Sequence, residues 1–127
     1  MRSSRSSRGA AVVDFVLVLG LLLPLVVGVL QLALVLFVRN TLASAASEGA
    51  RYAATADHGP SDGIAKARDQ LHGVLSERYA GRIRARPTTL DGAPAIEIRI
   101  HADVPALGLG GPAIGLDVAG HAVEEDP

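Results

Sequence analysis

Four histidines, His58, His72, His101 and His121, are the side chains best suited to moving a proton or holding a metal near neutral pH. Their spacing matches no metal-ligand pattern. His101 and His121 fall on segments that read as neighbouring strands, so a shared ion requires the two rings to meet across a sheet. Two exposed strand histidines is the plainer reading. Gly108-Leu109-Gly110-Gly111 is glycine-rich, but it lacks the Lys-Ser/Thr pair and the strand–helix setting of a phosphate loop. No serine sits in a nucleophile-elbow pattern. Carboxylates cluster only in the Glu124-Glu125-Asp126-Pro127 tail, which reads as solvated. No catalytic residue, metal ligand or cofactor site is therefore expected, and the chain reads as a non-enzyme.

The unusual chemistry sits beside an apolar run. Asp14 directly precedes Phe15–Val38, which contains no ionisable side chain and one polar one, Gln31. A carboxylate drawn to the centre of a membrane helix costs about 2.5–3.5 kcal/mol. At the edge it either reaches the headgroups or finds a positive partner. A cut between Gly9 and Ala10 would give Ala10 a free α-ammonium and make Asp14 the fifth residue of the new chain. Asp14 would then be placed to pair with the amine of a neighbouring subunit, and a helix N-terminus favours an anion there.

The run itself fixes the class of protein. It is roughly 24 residues long, and about 20 helical residues cross a bilayer core. In lipid every backbone N–H and C=O must be paired within the segment, so the crossing is helical. Arg2, Arg5 and Arg8 precede it, interleaved with Ser3, Ser4, Ser6 and Ser7, and Arg39 follows. The positive-inside tendency puts the N-terminus in the cytoplasm and the C-terminal portion outside. The Arg/Ser leader has nothing to bury and is expected to be disordered. The 127 residues carry a formal charge of −1 and no cysteine. There is thus no disulfide framework, no thiolate chemistry and no electrostatic footprint for nucleic acid. With 3% aromatics and no Trp, the part outside the membrane must build its core from Ile, Leu, Val and Ala. A domain that small is marginal, and it is expected to lean on the membrane helix or on partners.

The helical pattern continues past Arg39. Leu42, Ala46, Gly49/Ala50 and Ala53 recur at helical spacing as a stripe of small residues. Glu48 and Arg51 are three apart and are placed to pair on the exposed side. One helix is expected from Ala10 to about Asp57, about 70 Å long at 1.5 Å per residue, ending by Gly59-Pro60. Pro24 is expected to kink it near Gly20, and Gly20 and Gly28 offer smooth faces for a second helix. A second helix is expected from Ser61 or Asp62 to Ala80, with Ile64, Ala67, Leu71, Val74 and Leu75 inward and Lys66, Arg68, Asp69, Glu77 and Arg78 mostly outward, stopping at Gly81.

The period then changes to two. Arg82–Arg86 and Ala95–Val104 read as a hairpin around Leu90-Asp91-Gly92-Ala93-Pro94. Ile96, Ile98, Ile100, Ala102 and Val104 face inward, and Glu97, Arg99, His101 and Asp103 face out. Leu116–Val123 reads as a third strand after a Gly/Pro loop. The fold class is α+β: a long membrane helix continuing outside, one amphipathic helix, and a small antiparallel sheet. The organisation is a leader over 1–9, a membrane helix over 10–38, its continuation over 39–59, and a small α/β domain over 60–127.

The residues Arg8-Gly9-Ala10-Ala11-Val12-Val13-Asp14-Phe15, the apolar run, and Arg39-Asn40-Thr41-Leu42 through Glu48-Gly49-Ala50-Arg51 resemble the TadE-like family. Its members are minor pilins or pseudopilins of tight-adherence (Flp, type IVb) pilus systems. Glu48-Gly49-Ala50-Arg51 is the most distinctive part, and Arg39 and Asn40 belong to the same pattern. The resemblance implies processing by a membrane-embedded prepilin peptidase between Gly9 and Ala10, with Asp14 as the acid at the fifth mature position. It also implies other pilins or pseudopilins and a pilus assembly platform as partners, besides membrane lipid. Two residues depart from the family: Asp14 stands where Glu is usual, one methylene shorter, and Gln31 stands where an acid is often found. The C-terminal portion carries no family signal.

Two other readings compete. An uncleaved single-pass protein, acting as accessory or binding module of a secretion complex, shares every feature except the cut after Gly9. A conventional signal sequence would be cleaved after Ala43-Ser44-Ala45, but the apolar run far exceeds the 7–15 residues usual for one.

Overall fold

The computed structural model describes residues 4–75, 81–107 and 111–125. The elements in chain order are α1 (Ser4–Ala54), α2 (Pro60–His72), β1 (Arg82–Leu90), β2 (Ala93–Val104) and β3 (Ile114–Val123). The strands form one antiparallel sheet in the order β1-β2-β3. The class is α+β, as the periodicities predict. The chain divides into two compact units, Met1–Leu34 and Val35–Pro127.

The first unit consists of the N-terminal part of α1. Its apolar side chains are exposed: Phe15, Leu17 and Leu21 each keep about two thirds or more of their surface. Pro24 lies inside the unbroken helix. The helix starts at Ser4, so the described part of the Arg/Ser leader is helical rather than disordered. Propagating an existing helix fixes one residue per added hydrogen bond, whereas nucleation fixes several for the first. Arginine is also a good helix former. Residues 1–3 of the leader lie outside the described residues.

The second unit packs the C-terminal part of α1 and all of α2 with the sheet. Its core is Val38, Leu42, Ala45, Ala46, Ala50 and Ala53 from α1, Ala67 and Leu71 from α2, and Ile96, Ile98, Ile100, Ala102 and Val104 from β2. The five inward residues of β2 are those that alternation selects. α1 ends at Ala54, a little short of Asp57, and its last carbonyl accepts the Glu125 N–H at 2.9 Å. That bond ties the chain beyond β3 to the helix end.

α2 begins earlier than Ser61. Pro60 occupies the first turn, where its missing N–H is no loss. The Asp62 carboxylate accepts the Gly59 N–H at 2.9 Å. The helix stops at His72, well before Ala80, because Gly73 follows and glycine costs a helix interior about 1 kcal/mol. The outward positions Glu77 and Arg78 of the expected longer helix lie outside the described residues.

β1 runs on to Leu90, past the expected end at Arg86, and β2 starts at Ala93. Asp91 and Gly92 both have positive φ, 50° and 85°, the two-residue turn that matches strand twist. A turn that tight keeps both strands paired up to it. Pro87 is tolerated because β1 is an edge strand. β3 starts at Ile114, two residues before Leu116.

Candidate functional site

α1 presents two kinds of surface. Gly9 and Ala10 are exposed within the helix, and so is Asp14. Asp14 is the sole charged group between Ala10 and Val38. Gly9, Gly20 and Gly28 have nothing within 4 Å of where a Cβ would sit, so these helix faces are open.

Further along, small residues take over. A Cβ on Gly49 would meet the Gly63 carbonyl oxygen at 2.7 Å and the Ala67 Cβ at 3.0 Å. One on Gly63 would meet the Ala53 Cβ and the Gly49 carbonyl oxygen, both at 2.6 Å. α1 and α2 therefore cross backbone to backbone at a pair of glycines. On the other side, a Cβ on Gly120 of β3 would run into the Ala46–Ser47 peptide of α1. The helix is seated between α2 and β3 with no room for a methyl group at either contact.

This geometry divides the motif of α1 by task. Gly49 and Ala50 are buried in the crossing, whereas Arg39, Asn40, Glu48 and Arg51 are exposed. Glu48 and Arg51 form no ion pair, contrary to the spacing argument. Glu48 instead borders a hollow with Lys66, Asp69 and Gln70. Asn40 lines another between the helices, with Phe37, Thr41, Ser44, Gln70 and Val74.

The histidines have separate neighbours. His58 Nδ1 lies 2.9 Å from Thr55 Oγ1, and its ring packs on Tyr52 at 4.0 Å between centroids. His72 is exposed at the end of α2. His101 and His121 are not cross-strand neighbours. The register sets His101 opposite Asp117 and His121 opposite Glu97. One ring nitrogen of each faces the opposite carboxylate, Nδ1 of His101 at 3.0 Å from Asp117 and Nε2 of His121 at 2.8 Å from Glu97. Among the described residues no group of three or more metal-ligating side chains converges.

Glu97 was expected to face solvent. It lies on the outer face, yet it keeps only 4% of its surface. Arg86 Nε donates to its Oε1 at 2.7 Å, His121 Nε2 contacts Oε2 at 2.8 Å, and Arg99 Nε lies 3.4 Å from Oε1. The hydrogen bond from Arg86 lowers its pKa to about 2, helped by His121 and the charge of Arg99 and opposed by burial. Long neighbouring side chains cover it, and period-two alternation cannot foresee such covering.

Alternation and spacing also missed Gly63 and Gly120. A signal was present. Glycine inside a helix or strand pattern marks close backbone approach more often than chance flexibility.

Among the described residues one helix, exposed and apolar, is long enough to cross a bilayer and is joined to a small α+β domain, an arrangement consistent with a single-pass membrane protein. Residues 9–51 match the family model of TadE-like proteins, so the chain carries a TadE-like segment over about its first third outside the leader. The matched segment runs from Gly9 through Glu48-Gly49-Ala50-Arg51. No curated relative and no solved structure matches the chain.

Proposed function

We propose that this protein is a minor pilin or pseudopilin, a non-enzymatic, membrane-anchored component of a tight-adherence pilus or a related secretion assembly. Its N-terminus is cytoplasmic and its α+β domain lies outside. A prepilin peptidase cuts between Gly9 and Ala10, and Asp14 then pairs with the terminal amine of the next subunit. Other pilins or pseudopilins and the assembly platform are its partners.

The observation that carries this reading is the TadE-like match beginning at Gly9 and spanning the exposed apolar helix. A helix with large apolar side chains on all sides is suited to lipid or to a packed array of similar helices. The small-residue crossing at Gly49 and Gly63 supports a subunit whose outer domain holds the C-terminal part of α1 as one of its packed elements.

One observation favours the uncleaved alternative. α1 passes through Gly9 and Ala10 without a break, and a peptidase needs an extended backbone. For processing, the first turns must open, which is inexpensive at a helix end that frays.

The mass of the mature chain, isolated from its native membrane, tests the proposal. A start at Ala10 is expected. Loss of assembly in Asp14→Ala should then follow, with Asp14→Glu retaining it. A start at Met1 would instead favour an anchored accessory protein, and a start at Ala46 would mean a released domain.

A further inference from the structure

The outer face of the sheet carries charge that its own residues do not balance. Alternation puts Arg82, Arg84 and Arg86 of β1 on this face. Across the ladder they stand opposite His101, Arg99 and Glu97. Arg84 and Arg99 are thus directly opposed like charges, an arrangement that destabilises a sheet.

The nearby acids are already engaged. Glu97 is held by Arg86 and His121. Asp117 Oδ1 lies 3.0 Å from His101 Nδ1, and Asp103 Oδ1 lies 3.6 Å from His101 Nε2. Arg99 reaches Glu97 at 3.4 Å, but only at the oxygen that Arg86 already occupies at 2.7 Å. Among the described residues no carboxylate lies within ion-pair distance of Arg82 or Arg84. Arg82, Arg84, Arg99, His101 and Asp117 line one hollow of about 230 Å³.

We propose that this hollow binds a phosphate-type oxyanion, free or carried on an anionic polymer. Arg84 and Arg99 flank the anion with two guanidinium forks, and Arg82 supplies a third cation along the strand. Planar forks suit an oxyanion bidentately, where an ammonium acts only as a point charge. The bound anion relieves the repulsion between Arg84 and Arg99. Asp117 also lines the hollow, with its Oδ1 3.0 Å from His101 Nδ1, and its charge weakens the site. Among the described residues the Phe and Tyr rings are Phe15, Phe37 and Tyr52, all on α1, and none is on the strands. The described residues of this face thus offer stacked bases no Phe or Tyr platform, and the ligand is read by charge and by the geometry of the guanidinium forks.

The test uses the full chain in micelles of a zwitterionic detergent. Backbone and arginine side-chain NMR signals are followed during titration with inorganic phosphate and, separately, with long-chain polyphosphate, against chloride at matched ionic strength. Saturable shifts at Arg82, Arg84, Arg99 and His101 are expected. Saturation by inorganic phosphate would identify a small-anion site, and saturation by polyphosphate alone would identify a subsite for a polymer. Arg82→Gln/Arg84→Gln should weaken binding at least tenfold with no loss of thermal stability. Asp117→Asn should tighten it, which gives a readout independent of whether the double variant folds. Absence of saturation, equal shifts with chloride, or unchanged binding in the folded arginine variant would overturn the proposal.

Discussion

The two parts of α1 are both apolar, yet they are built from different side chains for different surroundings. From Val12 to Phe37 the helix is dominated by Leu and Val, and most of them are exposed, with Val27, Leu34 and Val35 half-buried. From Val38 to Ala54 its buried residues are mostly Ala and Gly, with Val38 and Leu42 at the start. Large apolar side chains need only an apolar solvent, which lipid supplies without any shape requirement. Small ones have little surface to bury, and their value lies in letting two backbones approach. Hydropathy alone does not separate these roles. Side-chain size does.

The sharpest way to test the distinction is to make one substitution in both parts. Leu42 is fully buried and Leu21 is 74% exposed. Leu42→Ala should destabilise the α+β domain by about 2–5 kcal/mol, since it removes buried methylenes and leaves a cavity. Leu21→Ala should leave domain stability unchanged. Thermal or denaturant unfolding of both variants in micelles decides it. Equal effects would abolish the distinction.

A charge should reverse the ranking. Leu21→Arg should oppose membrane insertion by about 2.5–3.5 kcal/mol if position 21 lies near the bilayer centre. The folded α+β domain should tolerate it. Membrane fractionation read beside domain unfolding separates the two outcomes.

Away from the helix, Glu97 gives the sheet a pH dependence. Its folded pKa is about 2 against an ordinary value of 4.5. The unfolded chain therefore binds the proton first as pH falls, and stability rises with pH across the window from about 2 to 4.5. The contribution is fully present above 4.5 and is lost as pH falls through the folded value. Allowing for screening at the exposed Arg86 and Arg99, its size is about 2 kcal/mol. Glu97→Gln should cost about that much at neutral pH and flatten the stability profile across this acid window. An unchanged acid slope in the variant would show that other carboxylates carry it.

These contrasts also mark what was readable from sequence. The apolar run, the period-two strands and the inward isoleucines follow from local pattern, because the period of a strand or helix decides which residues share a face. The tight turn at Asp91-Gly92 was legible for the same reason, although strand ends were not: Thr88 and Thr89 carry too little apolar signal to extend β1. The early stop of α2 at Gly73 needed a weighing of one glycine against a continuing apolar face at Val74 and Leu75. The engagement of Glu97 was not legible, since it depends on which arginine lies across the ladder. The motif around Glu48 and Arg51 was legible as a pattern but not as a contact. Its buried half works through Gly63 of α2, a residue outside the matched segment.

That last contact supports the smallest and most specific prediction. Gly49→Ala would improve helix propensity by about 1 kcal/mol. It would also place a methyl group 2.7 Å from the Gly63 carbonyl oxygen and 3.0 Å from the Ala67 Cβ. Neither neighbour is the free end of a flexible side chain, so relief requires the two helices to move apart. Overpacking of this kind costs about 1–3 kcal/mol, and the net loss should be about 1 kcal/mol. Gly28→Ala carries the same propensity gain with open space around it, so it should not destabilise the domain. A loss at Gly49 with none at Gly28 would locate the difference in the crossing rather than in glycine itself. If Gly49→Ala proved stabilising, the crossing would be soft enough to open, and the packing of the C-terminal part of α1 within the domain would have to rest on Gly120 and the Ala46–Ser47 backbone instead.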